Sequence, residues 1–192
     1  MYRSLKEDTL AVNPLFTTSE AKDFLKVDTT ADDTLIDNLI KAATQSCQIY
    51  TNMYFLDTTV TQYSDNWMEF YRLYKSPVLS ITHVKYYDTN DTLQTLNSTN
   101  YILDRVSQPA RIGLSVDGVL PNLASRINAV EVKYIVGYGT TSSEVPEGIR
   151  QAVLITIGNW YENRQSVITG RTATELPLSS QYLLEQYKIQ VC

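Results

Sequence analysis

The chain has 192 residues, of which 43% are hydrophobic and 19% are charged, and its formal net charge is -5. This length and composition exclude a disordered or fibrous protein and allow a buried core. The 16 basic residues form no cluster along the sequence. Tight binding of nucleic acid is therefore not expected, since that affinity needs several cations that displace counterions together.

The sequence contains neither a membrane segment nor an export signal. No run of about 18 apolar residues occurs, and the first residues, MYRSLKEDTLAVNP, lack the apolar core of a signal peptide. We therefore expect a protein that is made in the cytoplasm and has no membrane partner. Its two cysteines, Cys47 and Cys192, are expected to form no disulfide within the chain and to bind no metal.

Two helices are predicted in the first third of the chain. Thr17 and Glu20 have the spacing of a capping box, which predicts a short helix that ends near residues 27 and 28. A longer helix is predicted from Thr30, with two carboxylates at 32 and 33 acting in its first turn. We assign Leu35 and Leu39 to its core stripe. Ile36, Ile40 and Cys47 make that stripe wider than the surface that one partner helix can cover.

Residues 58–140 change to the two-residue period of β-strands. In AVEVKYIV, the residues Val130, Val132, Tyr134 and Val136 alternate with Glu131 and Lys133, which predicts an antiparallel strand with one solvated face. Further strands are predicted in VTQY, MEFYRLY, LSITHVKYYD, YILD and RIGLSV, and DTNDT at 88–92 is a predicted hairpin turn.

The third long helix, VPEGIRQAVLITIGNWYENRQ, is apolar on more than one face. Its main stripe, which we assign to the core of the bundle, is Ile149, Val153, Ile157 and Trp160. Leu154, Ile155 and Gly158 lie off this stripe. Because leaving two such aliphatic side chains in water would forgo roughly 1.5 to 3 kcal/mol each, we expect a second packing surface.

After a loop, SSQYLLEQYKI is predicted as a short terminal helix capped by Ser179 or Ser180. The order of elements predicts an α+β protein, a bundle of about four helices with an inserted antiparallel β domain. Residues 1–57 supply an N-terminal arm and helices of the bundle, residues 58–140 the β domain, and residues 141–192 the C-terminal helices with a docking tail.

No catalytic constellation is visible, and no enzyme activity or cofactor is expected. His83, the one histidine, has no ligand pattern near it and is predicted to be a surface residue of a strand. The pair of carboxylates at 32 and 33 is interpreted as helix capping, and GYG at 137–139 as a turn. An alternative function remains open, a glycan-binding module that uses the Tyr-rich β region. Its candidate tyrosines are Tyr54, just before that region, and Tyr63, Tyr71, Tyr74, Tyr86, Tyr87 and Tyr101 within it.

The sequence resembles the head-tail connector family of tailed bacteriophages, the neck adaptor or head-completion proteins. The resemblance covers about residues 16–188 in one consistent order: TTSEAKDFLKVDTTADDTLIDNLIKAA, SPVLSITHVKYYDTND, NYILD, VEVKYIVGYG, VPEGIRQAVLITIGNWYENRQ and ELPLSSQYLLEQY. It departs from the family at TNMYFLD, where relatives often have a Gly-Arg pair. The resemblance therefore implies a structural virion protein of the neck.

In such a protein the resemblance implies a ring, with twelve copies to follow the portal, that continues the DNA channel without specific binding of the genome. Its partners would be the portal ring and the next neck or tail component, a stopper or a tail terminator. A stopper of the same neck is a second structural alternative. In such a ring, the candidates for packing between subunits are Leu154, Ile155 and Gly158. The candidates for docking on the portal are Tyr182, Leu183, Leu184 and Tyr187.

Overall fold

The computed structural model describes residues 4–68, 71–163 and 176–189. It is an α+β structure whose described part divides into two units. One unit contains all the strands and comprises residues 4–11, 57–68, 71–138 and 189. The other comprises residues 12–56, 139–163 and 176–188 and contains the four α-helices: α1 (Thr18–Leu25), α2 (Asp33–Thr51), α3 (Glu147–Glu162) and α4 (Leu178–Glu185).

The β unit is built on a five-stranded antiparallel sheet of order β1-β2-β7-β3-β4. The strands are β1 (Ser4–Thr9), β2 (Thr58–Ser64), β3 (Val78–Tyr87), β4 (Leu93–Thr95) and β7 (Val130–Val136), and a separate hairpin pairs β5 (Tyr101–Asp104) with β6 (Arg111–Leu114). The predicted turn at 88–92 is confirmed, since the Asp88 carboxylate accepts hydrogen bonds from the amides of Asn90 and Thr92 between β3 and β4.

The alternation predicted for the central strand is confirmed. Val130, Val132, Tyr134 and Val136 of β7 are buried, while Glu131 and Lys133 are half-buried on the other face. The core face also contains a buried polar side chain, Gln62 of β2. Its amide nitrogen donates to the carbonyl of Arg72 at 2.9 Å, and its oxygen accepts from the Tyr74 amide and the Tyr134 hydroxyl. These bonds satisfy Gln62 and fix the segment around residue 73 against the sheet.

Two elements of the β unit differ from the prediction. MEFYRLY at 68–74 does not form a strand over its described residues and contributes only an isolated bridge from Arg72 to Arg111. In contrast, Ser4–Thr9 is a strand that the sequence does not predict, because SLKEDT lacks apolar alternation. Its position depends on pairing with β2 and on the carboxylate of Asp8.

In the helical unit the predicted capping box is confirmed. The amide of Thr17 donates to the Glu20 carboxylate at 2.7 Å, and the amide of Glu20 donates to the Thr17 hydroxyl at 3.2 Å. The prediction for α2 was wrong at its start, which lies at Asp33. Asp32 makes no side-chain capping bond, and its carboxylate instead accepts the hydroxyl of Tyr161 from α3 at 2.7 Å.

The start of α4 also differs from the prediction, since the helix begins at Leu178, after Pro177. Ser180 does not cap this helix but lies buried inside it. The sequence favours serine as a cap because its hydroxyl usually bonds a free helix amide. Here the hydroxyl bonds a carbonyl of α3 instead.

A carboxylate clamp holds β1 on the sheet. Asp8 accepts a hydrogen bond from the Thr61 hydroxyl and lies 3.1 Å from Lys6 Nζ and 3.2 Å from Lys133 Nζ. The Thr61 hydrogen bond, followed by those from the two lysines, lowers the pKa of Asp8 from 3.8 to about 2. Because this pKa is depressed on folding, the clamp stabilises the fold above about pH 4 and is lost as the pH falls towards 2.

Replacing the clamp carboxylate by an amide tests this assignment. Asp8→Asn is expected to lower the free energy of unfolding at pH 7 by about 1 to 3 kcal/mol, the usual cost of losing hydrogen bonds to a charged group. It is also expected to flatten the dependence of stability on pH between about 4 and 2. Urea titrations across this range measure both effects, with the exposed Asp117→Asn as control; an unchanged pH slope would contradict the clamp.

Candidate assembly surfaces

Helix α3 is surrounded by the other three helices, since it packs on α1, α2 and α4. Its fully buried side chains form one broad stripe of the helix: Ile149, Ala152, Val153, Thr156 and Ile157. A helix that is apolar beyond one stripe needs this kind of environment, because one partner helix cannot cover it. Other helices of the same chain provide part of the second packing surface of α3, since Gly158, which lies off the main stripe, contacts α1.

The predicted core stripe is correct for part of its residues. Ile149, Val153 and Ile157 are fully buried. Leu35, Leu39 and Trp160 are only half-buried, and the buried line of α2 lies one residue further along the chain, at Ile36, Ile40, Ala43 and Cys47. Two adjacent apolar lines run along this helix, and helical spacing alone does not determine which of them faces inward.

Gly158, predicted to pack against another subunit, contacts α1 of its own chain. A Cβ atom at this position would lie 3.2 Å from Phe24 Cε1 and 3.9 Å from Leu25 Cδ2. The missing side chain thus allows α1 to approach α3 closely. Leu154 and Ile155 are half-buried and retain part of their surface; their role in subunit packing stays a prediction.

A small group of buried polar atoms joins three helices, and we call Cys47, Ala152 and Thr156 the α4 seat. The Ser180 hydroxyl of α4 donates to the carbonyl of Ala152 at 3.0 Å. The Thr156 hydroxyl lies 2.8 Å from that carbonyl and 3.0 Å from Ser180 Oγ, and Cys47 Sγ is 4.0 Å from Thr156 Oγ1. Burial raises the pKa of the Cys47 thiol to about 12, so the sulfur keeps its proton.

The hydroxyl and thiol protons of the α4 seat and Ser180 can all be assigned to acceptors. Ser180 donates to the carbonyl of Ala152, Thr156 donates to that carbonyl or to Ser180, and the thiol of Cys47 donates to Thr156. Each hydroxyl or thiol proton then has an acceptor, as buried polar groups require. The bonds of Ser180 join α4 to α3, so this group fixes how α4 lies on α3.

Three further contacts hold the end of α4 and the residues that follow it. The Tyr50 hydroxyl of α2 donates to the Glu185 carboxylate at 2.6 Å, and Lys188 Nζ lies 4.4 Å from the centroid of the Tyr50 ring. The hydrogen bond to Glu185 raises the pKa of Tyr50. The ring of Tyr187 packs at Gly148 of α3, where a Cβ atom would lie 3.0 Å from the tyrosine oxygen.

These contacts divide the residues predicted to dock on a portal. Leu184 is completely buried, and Leu183 and Tyr187 are half-buried. Leu184 is therefore a core residue, which corrects the prediction that it serves docking. Tyr182 is 84% exposed, and Leu178, which the sequence analysis missed, is 83% exposed. Residues four apart share a helix face, and we call Leu178 and Tyr182 the docking pair.

The tyrosines of the predicted glycan site do not form an exposed platform within the described residues. Tyr54 and Tyr74 are buried. Tyr86 packs against the Trp67 ring at 5.7 Å between centroids, and the Arg126 guanidinium lies 3.6 Å from the centroid of the Tyr87 ring. Most of these rings are engaged in packing, which leaves little surface for stacking on a sugar.

Over residues 4–68, 71–163 and 176–189, no three His, Cys, Asp or Glu side chains are grouped so that they could hold a metal ion. His83 bonds Glu131 across the sheet at 2.9 Å. Cys47 is a free, buried thiol, and Cys192 lies outside the described residues. No helix in the described part is long and apolar enough to span a membrane.

A substitution at Gly158 tests the contact between α1 and α3. Alanine is about 1 kcal/mol better than glycine inside a helix, and the partly exposed ring of Phe24 can shift to admit a methyl group. Gly158→Ala is therefore expected to raise the free energy of unfolding by up to about 1 kcal/mol. Gly158→Leu is expected to lower it by about 1 to 3 kcal/mol through overpacking.

Urea titration measures both variants, and Asn159→Ala is the matched control because Asn159 is exposed on the same helix. If Gly158→Leu were as stable as the parent protein, α1 would not pack closely on α3 at this position.

Comparison with known proteins places this arrangement in a family. The family model for the head completion protein (HCP) matches residues 14–175. A search of curated proteins finds no match. The fold is similar to a chain from the neck of an empty gene transfer agent particle, computed with C6 symmetry, with a TM-score of 0.78 and 19% identity; the alignment covers 98% of this chain and 96% of that chain.

Two related structures have similar values. A chain from the virion of a native gene transfer agent particle matches with a TM-score of 0.77 and 19% identity, and a chain from the neck of the native particle, computed with C12 symmetry, with 0.75 and 18%. Both alignments cover 98% of this chain and 96% of the other. The family match confirms the resemblance noted in the sequence and indicates a structural protein rather than an enzyme. The chain belongs to the head completion protein family.

Proposed function

We propose that this protein is a structural component of a virion neck, an adaptor that assembles as a ring under the portal. It continues the DNA channel and provides the attachment platform for the next neck or tail component, a stopper or a tail terminator. The observation that carries this proposal is the family match over residues 14–175. The likeness of fold to chains from gene transfer agent necks supports it along almost the whole chain.

The proposed ring has twelve copies. One of the similar neck structures was computed with C12 symmetry and another with C6 symmetry, which is compatible with twelve positions. A closed ring uses heterologous interfaces, in which one flank of each copy complements the opposite flank of the next. Leu154 and Ile155 are our candidates for this contact, because their surfaces are only partly covered within the chain.

The predicted architecture is part of the proposal. Helices on both sides of the β region in the sequence form one bundle, as the contacts of α1, α2, α3 and α4 support. Strands β2 to β7 are inserted between α2 and α3 in the sequence, and β1, which precedes α1, is an edge strand of the same sheet. The excess of acidic over basic residues, 21 against 16, suits a ring through which DNA passes without specific binding.

The docking pair is the proposed contact with the portal. Leu178 and Tyr182 are large, mostly apolar and exposed on one face of α4. Tyrosine is among the residue types that dominate the binding energy of protein interfaces, and Leu178 adds an apolar contact beside it. A stopper in the same neck is the structural alternative, and it differs in binding the adaptor rather than the portal. No observation favours glycan binding.

Native mass spectrometry of the purified protein, alone and mixed with its cognate portal ring, tests the function directly. We expect stoichiometric decoration, about one copy per portal subunit. A protein that leaves the portal undecorated but binds an assembled portal and adaptor complex would support the stopper instead, and one that binds neither would contradict a neck role.

Variants of the docking pair test the proposed contact. Leu178→Ser and Tyr182→Ser are each expected to weaken portal binding by roughly 30-fold or more, as truncation of a central interface residue does. Both side chains are exposed, so the stability of the free protein should change by less than about 0.5 kcal/mol. Leu93→Ser, at an exposed leucine of β4, is the control; equal affinities for all three variants would exclude the pair.

A further inference from the structure

The orientation of α4 is fixed by polar as well as apolar contacts. The inward face contains Ser180 and Leu184, whereas the outward face contains Leu178 and Tyr182. The half-buried Leu183 and Tyr187 lie on the inward side as well, so apolar burial contributes to the observed orientation. In the observed orientation the Ser180 hydroxyl donates to the carbonyl of Ala152. With α4 rotated so that Leu178 and Tyr182 face inward, this hydrogen bond would be lost.

The helix itself is short, with eight residues. Isolated helices of this length are unstable in water, because nucleation is costly and few hydrogen bonds follow it. The helical state of α4 thus depends on its contacts with α2 and α3. The spacing of Leu178 and Tyr182 on one face exists only while the helix is held in place.

We propose that the α4 seat is a positioning device, which keeps α4 folded and bound so that its outward face is presented to the portal without rearrangement. This inference rests on the proposed function and adds how the docking surface is maintained. The opposite mechanism, in which α4 leaves the seat to bind, would break the bonds of Ser180 and Tyr50 and expose Leu184. The two mechanisms predict opposite responses to a weaker seat.

Ser180→Ala is the mild variant, since Thr156 still bonds the carbonyl of Ala152 and no buried acceptor is left unpaired. Its loss of one hydrogen bond should raise the open population of α4 about tenfold. The double variant Ser180→Ala with Leu184→Ala should raise it far more, since truncating a buried leucine leaves a cavity. Ser179→Ala, an exposed neighbour with the same chemical change, is the matched control.

Two measurements on the full chain are combined. Amide hydrogen exchange over residues 180–187 gives the open population of α4, with the amides of α3 as reference for the rest of the unit. Titration of the cognate portal ring gives the apparent affinity. A positioning device predicts that Ser180→Ala binds within about twofold of the parent protein, because most molecules remain seated. The double variant should lose affinity in proportion to its seated fraction.

The opposite results overturn the inference. If α4 must leave the seat, Ser180→Ala binds about tenfold more tightly, since the binding-competent population has risen by that factor. If the double variant opens α4 but binds the portal with unchanged affinity, the portal does not bind α4 in its seated form, and the inference is wrong. A parent protein that fails to bind the portal overturns the proposed function and this inference together, which separates that failure from the other two.

Discussion

The helical unit depends on the covering of α3, a helix with apolar side chains on several faces. Ile149 and Ile157 are completely buried, and contacts with α1, α2 and α4 together exclude water from most of the helix. Because no single neighbour can do this, each of the other helices has a position dictated by α3. The close approach at Gly158 is one result, since it lets Phe24 and Leu25 of α1 reach the helix surface.

Apolar burial holds these elements together but does not fix how they are rotated and aligned. That role belongs to a few buried polar groups with complete sets of hydrogen bonds. In the β unit, Gln62 bonds Arg72, Tyr74 and Tyr134. In the helical unit, Ser180 and Thr156 share the carbonyl of Ala152. An unpaired polar atom at either place would cost about 1 to 3 kcal/mol, so alternative alignments are disfavoured.

Sequence patterns predicted those features whose cause is local. The capping box at Thr17 and the alternation through Tyr134 need only neighbouring residues, and both are present. Features decided by distant contacts were missed. Strand β1 depends on Asp8 meeting Thr61 and Lys133, and the inward face of α4 depends on Ser180 meeting α3. The sequence pattern does not show which face of α4 is buried, so it predicts Leu184 as a docking residue and does not indicate Leu178.

The part of the α3 surface that is covered within the chain affects how the proposed ring would form. Leu154 and Ile155 are half-buried and Gly158 is covered by α1 of the same chain, so the second face of α3 offers only a limited apolar surface to a neighbour. A ring held by limited lateral contacts is weak by itself, but copies bound side by side on a portal meet at high effective concentration. Lateral contacts around Leu154 and Ile155 would then add to docking through α4. The portal would thus act as the template on which the ring closes, and each copy would be stable before it arrives there.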